Sequence, residues 1–470
     1  MRRVQVLLRG FIIIIVLFYV AGPACAQTEL SPGLQQKIDT LAGNILVKTG
    51  VPSASVAVVR NAQIAFVRAY GAASTEPRIP ASPDMRYSIG SISKQFTAAA
   101  ILLLQEEGKL SLDDKVSRYI PDLARANEVT IRELLSHTSG YQDFWPQDYV
   151  MEPMLHPVTA KEIMDTWGDK PLDFDPGTQW QYSNTNYVIA GVIAEKVAGM
   201  PLFQFLKREI FTPLAMKSAT NVDQEKINGT DVTAYMRYAL GPLHPAPKEG
   251  KGWLFAMGEL AMTAGDLGRW DISIIDEKLM KPSSYKELET DVLLADGLST
   301  HYGLGVGVNM MYGHRALSHS GEVSGFTAEN IVFPDDSDAV VVLTNQDASD
   351  AADDIAHGIA TMLFTSEDSA AAAELEQARE IFNGLQHGTV DRSLFTDDAN
   401  NYFSEEALKD FEDSLAPLGT PETFVQTRQA LRGGMTMRVY RIKFEKKILL
   451  AVTYEMPDGK WEQYQIIEQE

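Results

Sequence analysis

The residues best equipped for chemistry are Ser91 and Lys94, in the run Ser91-Ile92-Ser93-Lys94. If a helix starts here, that spacing sets the lysine amine over the serine hydroxyl on one face. A serine hydroxyl is a poor nucleophile until a base takes its proton. A neutral lysine is such a base, but its ordinary pKa of ~10.4 must first fall towards ~7–8. That change costs roughly 4 kcal/mol, which burial in a desolvated pocket supplies. Free N–H groups at a helix N-terminus also favour negative charge on the serine. The pattern recurs as Ser283-Ser284-Tyr285-Lys286, but in a polar stretch with no apolar helix behind it. Context selects Ser91.

Tyr182-Ser183-Asn184 follows the loop signal Asp175-Pro176-Gly177. Its phenol suits a base or proton relay, and the Asn184 amide suits a substrate. Equally, Tyr182 could start the apolar helix 188–197 with Asn184 as its cap. His319-Ser320-Gly321 ends a predicted strand and is followed by Gly325-Phe326. A polar residue, a hydroxyl and a glycine on a cleft-lining strand suit a substrate carbonyl or carboxylate, because glycine permits close approach. A plain strand-end turn reads the same way. Lys48-Thr49-Gly50 ends the first predicted helix, where Gly50 needs only a capping role. The eight histidines form no H-E-x-x-H pattern, so neither metal nor cofactor is expected.

Positioning such groups requires a framework. Leu34, Ile38, Leu41 and Ile45 repeat at helical spacing up to Gly50. Residues 53–60 and 64–70 alternate as two strands joined by Asn61-Ala62-Gln63. Phe96, Ala99, Ala100 and Leu103 mark a helix closed by Gly108, and helices with long loops continue to about residue 270. Strands are predicted at 302–309, 315–320, 327–333 and 339–344, then a helix over 351–364. The pattern predicts an α+β unit: one antiparallel sheet built from both chain ends, flanked by helices, with a helical subdomain inserted between its halves. A linker at 366–374 would lead into a small C-terminal α+β domain, 375–470, with four strand-like runs and a hairpin turn at Pro457-Asp458-Gly459.

The chain has 470 residues, 45% hydrophobic and 22% charged, a globular composition with room for two folded units. Its first 26 residues read as a secretory signal: Arg2, Arg3 and Arg9, an apolar stretch from Phe11 to Ala21, then Ala24-Cys25-Ala26. The stretch is short for a membrane span. Export to the periplasm or medium is therefore expected, with no stable membrane span in the mature chain. Gly22-Pro23-Ala24 lacks the aliphatic residue that a lipoprotein signal ending at Cys25 needs. As Cys25 is the only cysteine, a chain cut after residue 26 has no thiol and no disulfide. The net charge of −22 excludes nucleic acid and anionic lipid as partners of its overall field.

Taken in order, Ser91–Lys94, Tyr182–Asn184 and His319–Gly321 resemble the three boxes of the penicillin-recognising serine hydrolases. The Tyr-x-Asn version is similar to class C β-lactamases, D-aminopeptidases, D,D-carboxypeptidases and related esterases. Residues 134–140 (Leu-Leu-Ser-His-Thr-Ser-Gly) and the stretch from Gly258 to Trp270 also resemble that group. The resemblance covers roughly residues 30–365 and implies a β-lactamase-like domain over 27–365. It implies that Ser91, Lys94 and Tyr182 are catalytic and that Asn184, His319 and Gly321 bind substrate. The backbone N–H groups of Ser91 and Glu322 would form the oxyanion hole. The C-terminal domain resembles the small cone-shaped folds related to nuclear transport factors.

One departure bears on substrate. Class C β-lactamases and carboxypeptidases usually carry lysine where this chain has His319, and histidine looks more like the D-aminopeptidase and esterase branches. The reading is a serine hydrolase forming an acyl-Ser91, with D-amino acid peptides, amides or esters favoured over penicillins. Its substrate would be a small molecule or short peptide, peptidoglycan-derived fragments included. The alternatives are a class C-type β-lactamase and a penicillin sensor or trap that acylates without turning over.

Overall fold

The computed structural model describes residues 29–147, 149–225, 231–365 and 369–469. The expected signal segment lies outside them. The first helix, Pro32–Thr49, begins at Ser31, whose hydroxyl accepts from the Leu34 amide at 3.3 Å, and ends at Gly50 in the left-handed conformation. Lys48-Thr49-Gly50 is thus a helix end. The strands Ser53–Arg60 and Gln63–Thr75 meet at Asn61 and Ala62, both at positive φ, a turn whose twist matches the strands.

These strands belong to a seven-stranded antiparallel sheet whose central strand is Asp338–Thr344. Its order is Arg78–Pro80, Gln63–Thr75, Ser53–Arg60, Asp338–Thr344, Phe326–Phe333, His314–Val323, Gly307–Met311. Ser53–Arg60 pairs directly with Asp338–Thr344, so the two chain ends join in the middle, as the strand pattern predicts. Both faces are covered, and the side chains divide with the period of two that a strand imposes. Val56, Val58, Val340 and Val342 face the helices Pro32–Thr49 and Ala351–Thr365. Ala57, Val59, Val341 and Leu343 face Ser93–Glu106 and Ala264–Asp276. The helical insert, including Ile131–Leu135, Asn184–Ala198 and Leu202–Leu206, joins that second core.

Several boundaries differ from the sequence pattern. The strand expected over 64–70 runs on to Thr75, and the strand expected to end at Ser320 runs to Val323. His319-Ser320-Gly321 therefore lies within a paired strand and not in a strand-end turn. The strand expected over 302–309 starts only at Gly307. Gly303 and Gly305 interrupt the run, and glycine is a poor strand former, which leaves Tyr302 on a loop. The helix expected to begin near Glu374 begins at Ser369. Its four alanines, read as linker, are the strongest helix formers. Only 366–368 separate it from the preceding helix, and these lie outside the described residues.

The C-terminal part folds around its own core, with Phe382, Tyr440 and Trp461 fully or almost fully buried. Its sheet is the antiparallel meander Thr423–Arg432, Met435–Lys443, Ile448–Glu455, Trp461–Glu468. The last hairpin turns at Pro457-Asp458-Gly459, where the Gly459 amide donates to the Met456 carbonyl at 2.9 Å. Among the described residues no single helix is long and apolar enough to cross a membrane.

Candidate active site

Ser91 sits in a tight 3-10 turn, Gly90–Ile92, that runs straight into the helix Ser93–Glu106. Nearly every side chain in the first three turns of that helix is buried, so it is a core element held on all sides. The strand His314–Val323 passes beside the turn so closely that glycine is needed on both partners. A Cβ on Gly321 would stand 2.0 Å from the Ile89 carbonyl oxygen. Gly90 has a φ of +51°, and a Cβ there would stand 2.7 Å from the Glu322 amide nitrogen. The Glu322 N–H is thereby set against the Ser91 turn.

Lys94 has no exposed surface. Its Nζ lies 2.9 Å from Ser91 Oγ, 2.9 Å from Asn184 Oδ1 and 3.1 Å from the Met257 carbonyl oxygen. Burial pushes its pKa down to about 7, against the opposing pull of the Asp143 carboxylate. The three contacts determine what the neutral amine does. Asn184 Oδ1 and the Met257 carbonyl can only accept, so they take both N–H bonds of a neutral amine. Its lone pair is left for the Ser91 hydroxyl.

Asn184 is the first residue of its helix, and Ser183 holds the cap position without a side-chain capping bond. The capping alternative for Asn184 therefore does not describe its amide, which bridges Lys94 and Asp143. Asp143 accepts from the Asn184 backbone N–H at 2.9 Å and from Asn184 Nδ2 at 3.3 Å. This orients the amide with its oxygen towards Lys94. Burial raises the Asp143 pKa, while the Trp145 and Asn184 backbone N–H groups favour its charged form.

The Tyr182 ring lies 4.8 Å from Lys94 Nζ, centroid to atom, and 4.3 Å from the His137 ring. Its hydroxyl is buried and completes no hydrogen bond, although Ser91 is close enough to favour its ionised form. Burial dominates and raises the phenol above its ordinary pKa. His137 is fully buried and kept neutral by that burial, with its Nδ1 accepting from the Ser183 amide at 3.2 Å.

His319 is 8% exposed, and both its ring nitrogens are engaged. Nδ1 lies 2.5 Å from the Ser320 carbonyl oxygen, which can only accept, so Nδ1 carries the proton. Nε2 then accepts from the Tyr302 hydroxyl at 2.9 Å. Burial, with Lys94 nearby, pushes its pKa down to about 4. Both ring nitrogens of His319 are thus hydrogen-bonded within the chain, while the ring still lines the cleft.

Ser91, Tyr182, Asn184, His319 and Glu322 line one cleft of about 420 Å³. Gly321 is not among the described lining of that cleft; it packs against the Ile89 carbonyl behind the Ser91 turn. Asp143, Glu322 and Asp347 give the described lining three carboxylates and no arginine or lysine. The second S-x-x-K lies elsewhere, with Ser283 and Lys286 exposed. Sequence reasoning missed Asp143, Tyr302 and the Met257 carbonyl. Asp143 had only a faint signal, a lone charge within the aromatic stretch Tyr141–Trp145.

The model of the beta-lactamase family matches residues 34–361. Protein flp of Staphylococcus aureus (strain MW2) is 28% identical over 369 residues, 76% of this chain and 72% of that protein. The octameric penicillin-binding protein homologue from Pyrococcus abyssi superimposes with a TM-score of 0.63 at 21% identity, covering 93% of this chain and 96% of that one. A D-stereospecific amidohydrolase from Streptomyces sp. gives 0.59 at 26% identity, covering 67% and 96%.

Proposed function

Because the chain belongs to the beta-lactamase family of the serine hydrolase superfamily, we propose that it hydrolyses amides or esters through an acyl-Ser91 intermediate. Neutral Lys94 takes the Ser91 proton as Oγ attacks the carbonyl carbon. The backbone N–H groups of Ser91 and Glu322 receive the oxyanion, where one such donor is worth ~2.7–4 kcal/mol. Tyr182 passes a proton to the departing amine or alcohol. Water then cleaves the acyl-enzyme by the same route in reverse. The observation that carries this reading is the 2.9 Å contact from Ser91 Oγ to a wholly buried lysine whose other two partners are obligate acceptors.

Uncharged or amine-bearing substrates, D-amino acid amides and esters among them, are favoured over penicillins. Support comes from the neutral His319 and from a cleft whose charged lining is acidic, which repels a substrate carboxylate. The name of the Streptomyces relative, a D-stereospecific amidohydrolase, agrees with that class.

A fluorophosphonate should label the tryptic peptide containing Ser91, and Ser91→Ala should abolish the adduct. Labelling at Ser283 would sink the assignment. A panel of D-amino acid amides, D-Ala-D-Ala peptides, p-nitrophenyl esters and nitrocefin then ranks substrates. One product per protein, without turnover, would make the protein a trap instead.

A further inference from the structure

A second cavity, of about 410 Å³, adjoins the catalytic cleft and shares Val323 and Ser324 with it. Its described walls are largely apolar, including Val222, Val232, Ala246, Leu254 and Phe326. Two charged residues also line it, the buried Glu249 and Lys248, whose amine donates to the Val222 carbonyl. Glu249 accepts from the Ser324 amide at 2.8 Å and so pins the wall between the two spaces. Nothing in the chemistry at Ser91 uses this chamber. Its size is that of a small-ligand pocket.

The direction of the strand His314–Val323 tells which part of a substrate faces it. The Tyr182 ring is 6.2 Å from the His319 ring, so the leaving group, which takes the Tyr182 proton, departs at the His319 end. The oxyanion donor, the Glu322 amide, comes three residues later, about 10 Å along an extended strand. Val323 and Ser324 lie beyond it, on the far side of the scissile carbonyl. That side holds the acyl group.

The geometry points to this chamber as an acyl-side subsite for an apolar substituent, an alkyl chain or aromatic ring on the carbonyl half of the substrate. The inference rests on the acyl-Ser91 reading above. The acyl substituent reaches the chamber past Val323 and Ser324, the residues that the two spaces share, and the apolar surface beyond them removes it from water.

Each methylene moved from water into such a pocket gains ~0.8 kcal/mol, or about fourfold in kcat/KM. With p-nitrophenyl esters from acetate to octanoate, kcat/KM should rise by up to that factor per methylene until the chamber fills. Val232→Phe, which narrows the chamber, should stop the rise at a shorter chain. Phe326→Leu, which widens it, should stop the rise at a longer one. Both should leave acetate within about twofold of wild type. Acetate esters of lengthening alcohols should show no such rise. A flat acyl series, a break point that neither substitution moves, or a length dependence in the alcohol instead would overturn the subsite while acetate is still turned over. Failure of Ser91 to label, by contrast, would overturn the reaction itself.

Discussion

The Tyr302 hydroxyl donates to His319 Nε2 at 2.9 Å and completes the hydrogen bonding of a ring whose other nitrogen is spent on the Ser320 carbonyl. The third box therefore presents a neutral, self-satisfied side chain where a lysine would present a fixed charge. With the His319 pKa at about 4, lowering the pH to 5.5 leaves the ring uncharged. Wild type should gain nothing on carboxylate-bearing substrates over that range. His319→Lys should raise the nitrocefin to p-nitrophenyl butyrate ratio of kcat/KM by about tenfold or more, the effect of a charge-assisted hydrogen bond of ~1.5–3 kcal/mol. Tyr302→Phe removes a donor that stabilises the neutral ring, so it should raise the same ratio below pH 6, and less than the lysine does. An unchanged ratio in both variants would remove His319 from substrate selection.

Lys94 and Tyr182 flank one hydroxyl and should act as a unit. Lys94→Ala and Tyr182→Phe should each cost on the order of 10³-fold or more in kcat, and the double variant little more than either alone. Multiplying losses would show that the two residues work independently.

Asp143 should act through Asn184 and Lys94 rather than on substrate. With neutral Lys94 as the proposed base, kcat/KM should rise with pH through about 7. The Asp143 charge raises that pKa, so Asp143→Ala should move the rising limb to lower pH. It should also free the Asn184 amide to turn, costing about 10²-fold in kcat through a misplaced base. A variant that loses rate without any shift in the limb would reduce Asp143 to a structural role.

Gly321→Ala tests the close approach of strand and nucleophile turn. The new Cβ would meet the Ile89 carbonyl oxygen at 2.0 Å, so one of the two segments must move. Overpacking of this kind costs typically ~1–3 kcal/mol of stability, measured by denaturant melts. The same movement should part the Ser91 and Glu322 amides and lower kcat by about 10²-fold or more, as loss of an oxyanion donor does. Full activity in a folded Gly321→Ala variant would place the oxyanion donors elsewhere.

Much of this was legible in the sequence because it depends on side-chain type at short range. Serine and lysine three apart before an apolar helix, the Asn61-Ala62 turn and the alternating strands carry their own signals. The remainder was not legible, for identifiable reasons. The Met257 carbonyl is backbone, which every residue possesses. Asp143 meets Asn184 only after the chain has folded across the intervening loops, and Tyr302 was hidden in a run that reads as strand. The state of His319 depends on burial and on that tyrosine together, neither of which has a local pattern.

The pairing of Ser53–Arg60 with Asp338–Thr344 makes the order of synthesis matter. A nascent chain that has already exposed Ser91, Lys94 and Tyr182 still lacks the strands that complete the sheet and supply the Glu322 amide. Until those strands emerge, Ser53–Arg60 has an open edge with no native partner there, the template on which chains aggregate. Closing so long a loop is entropically costly and slow. A shortened chain ending before the meander should therefore be inert and prone to precipitate, and appearance of esterase activity should report completion of the last strand.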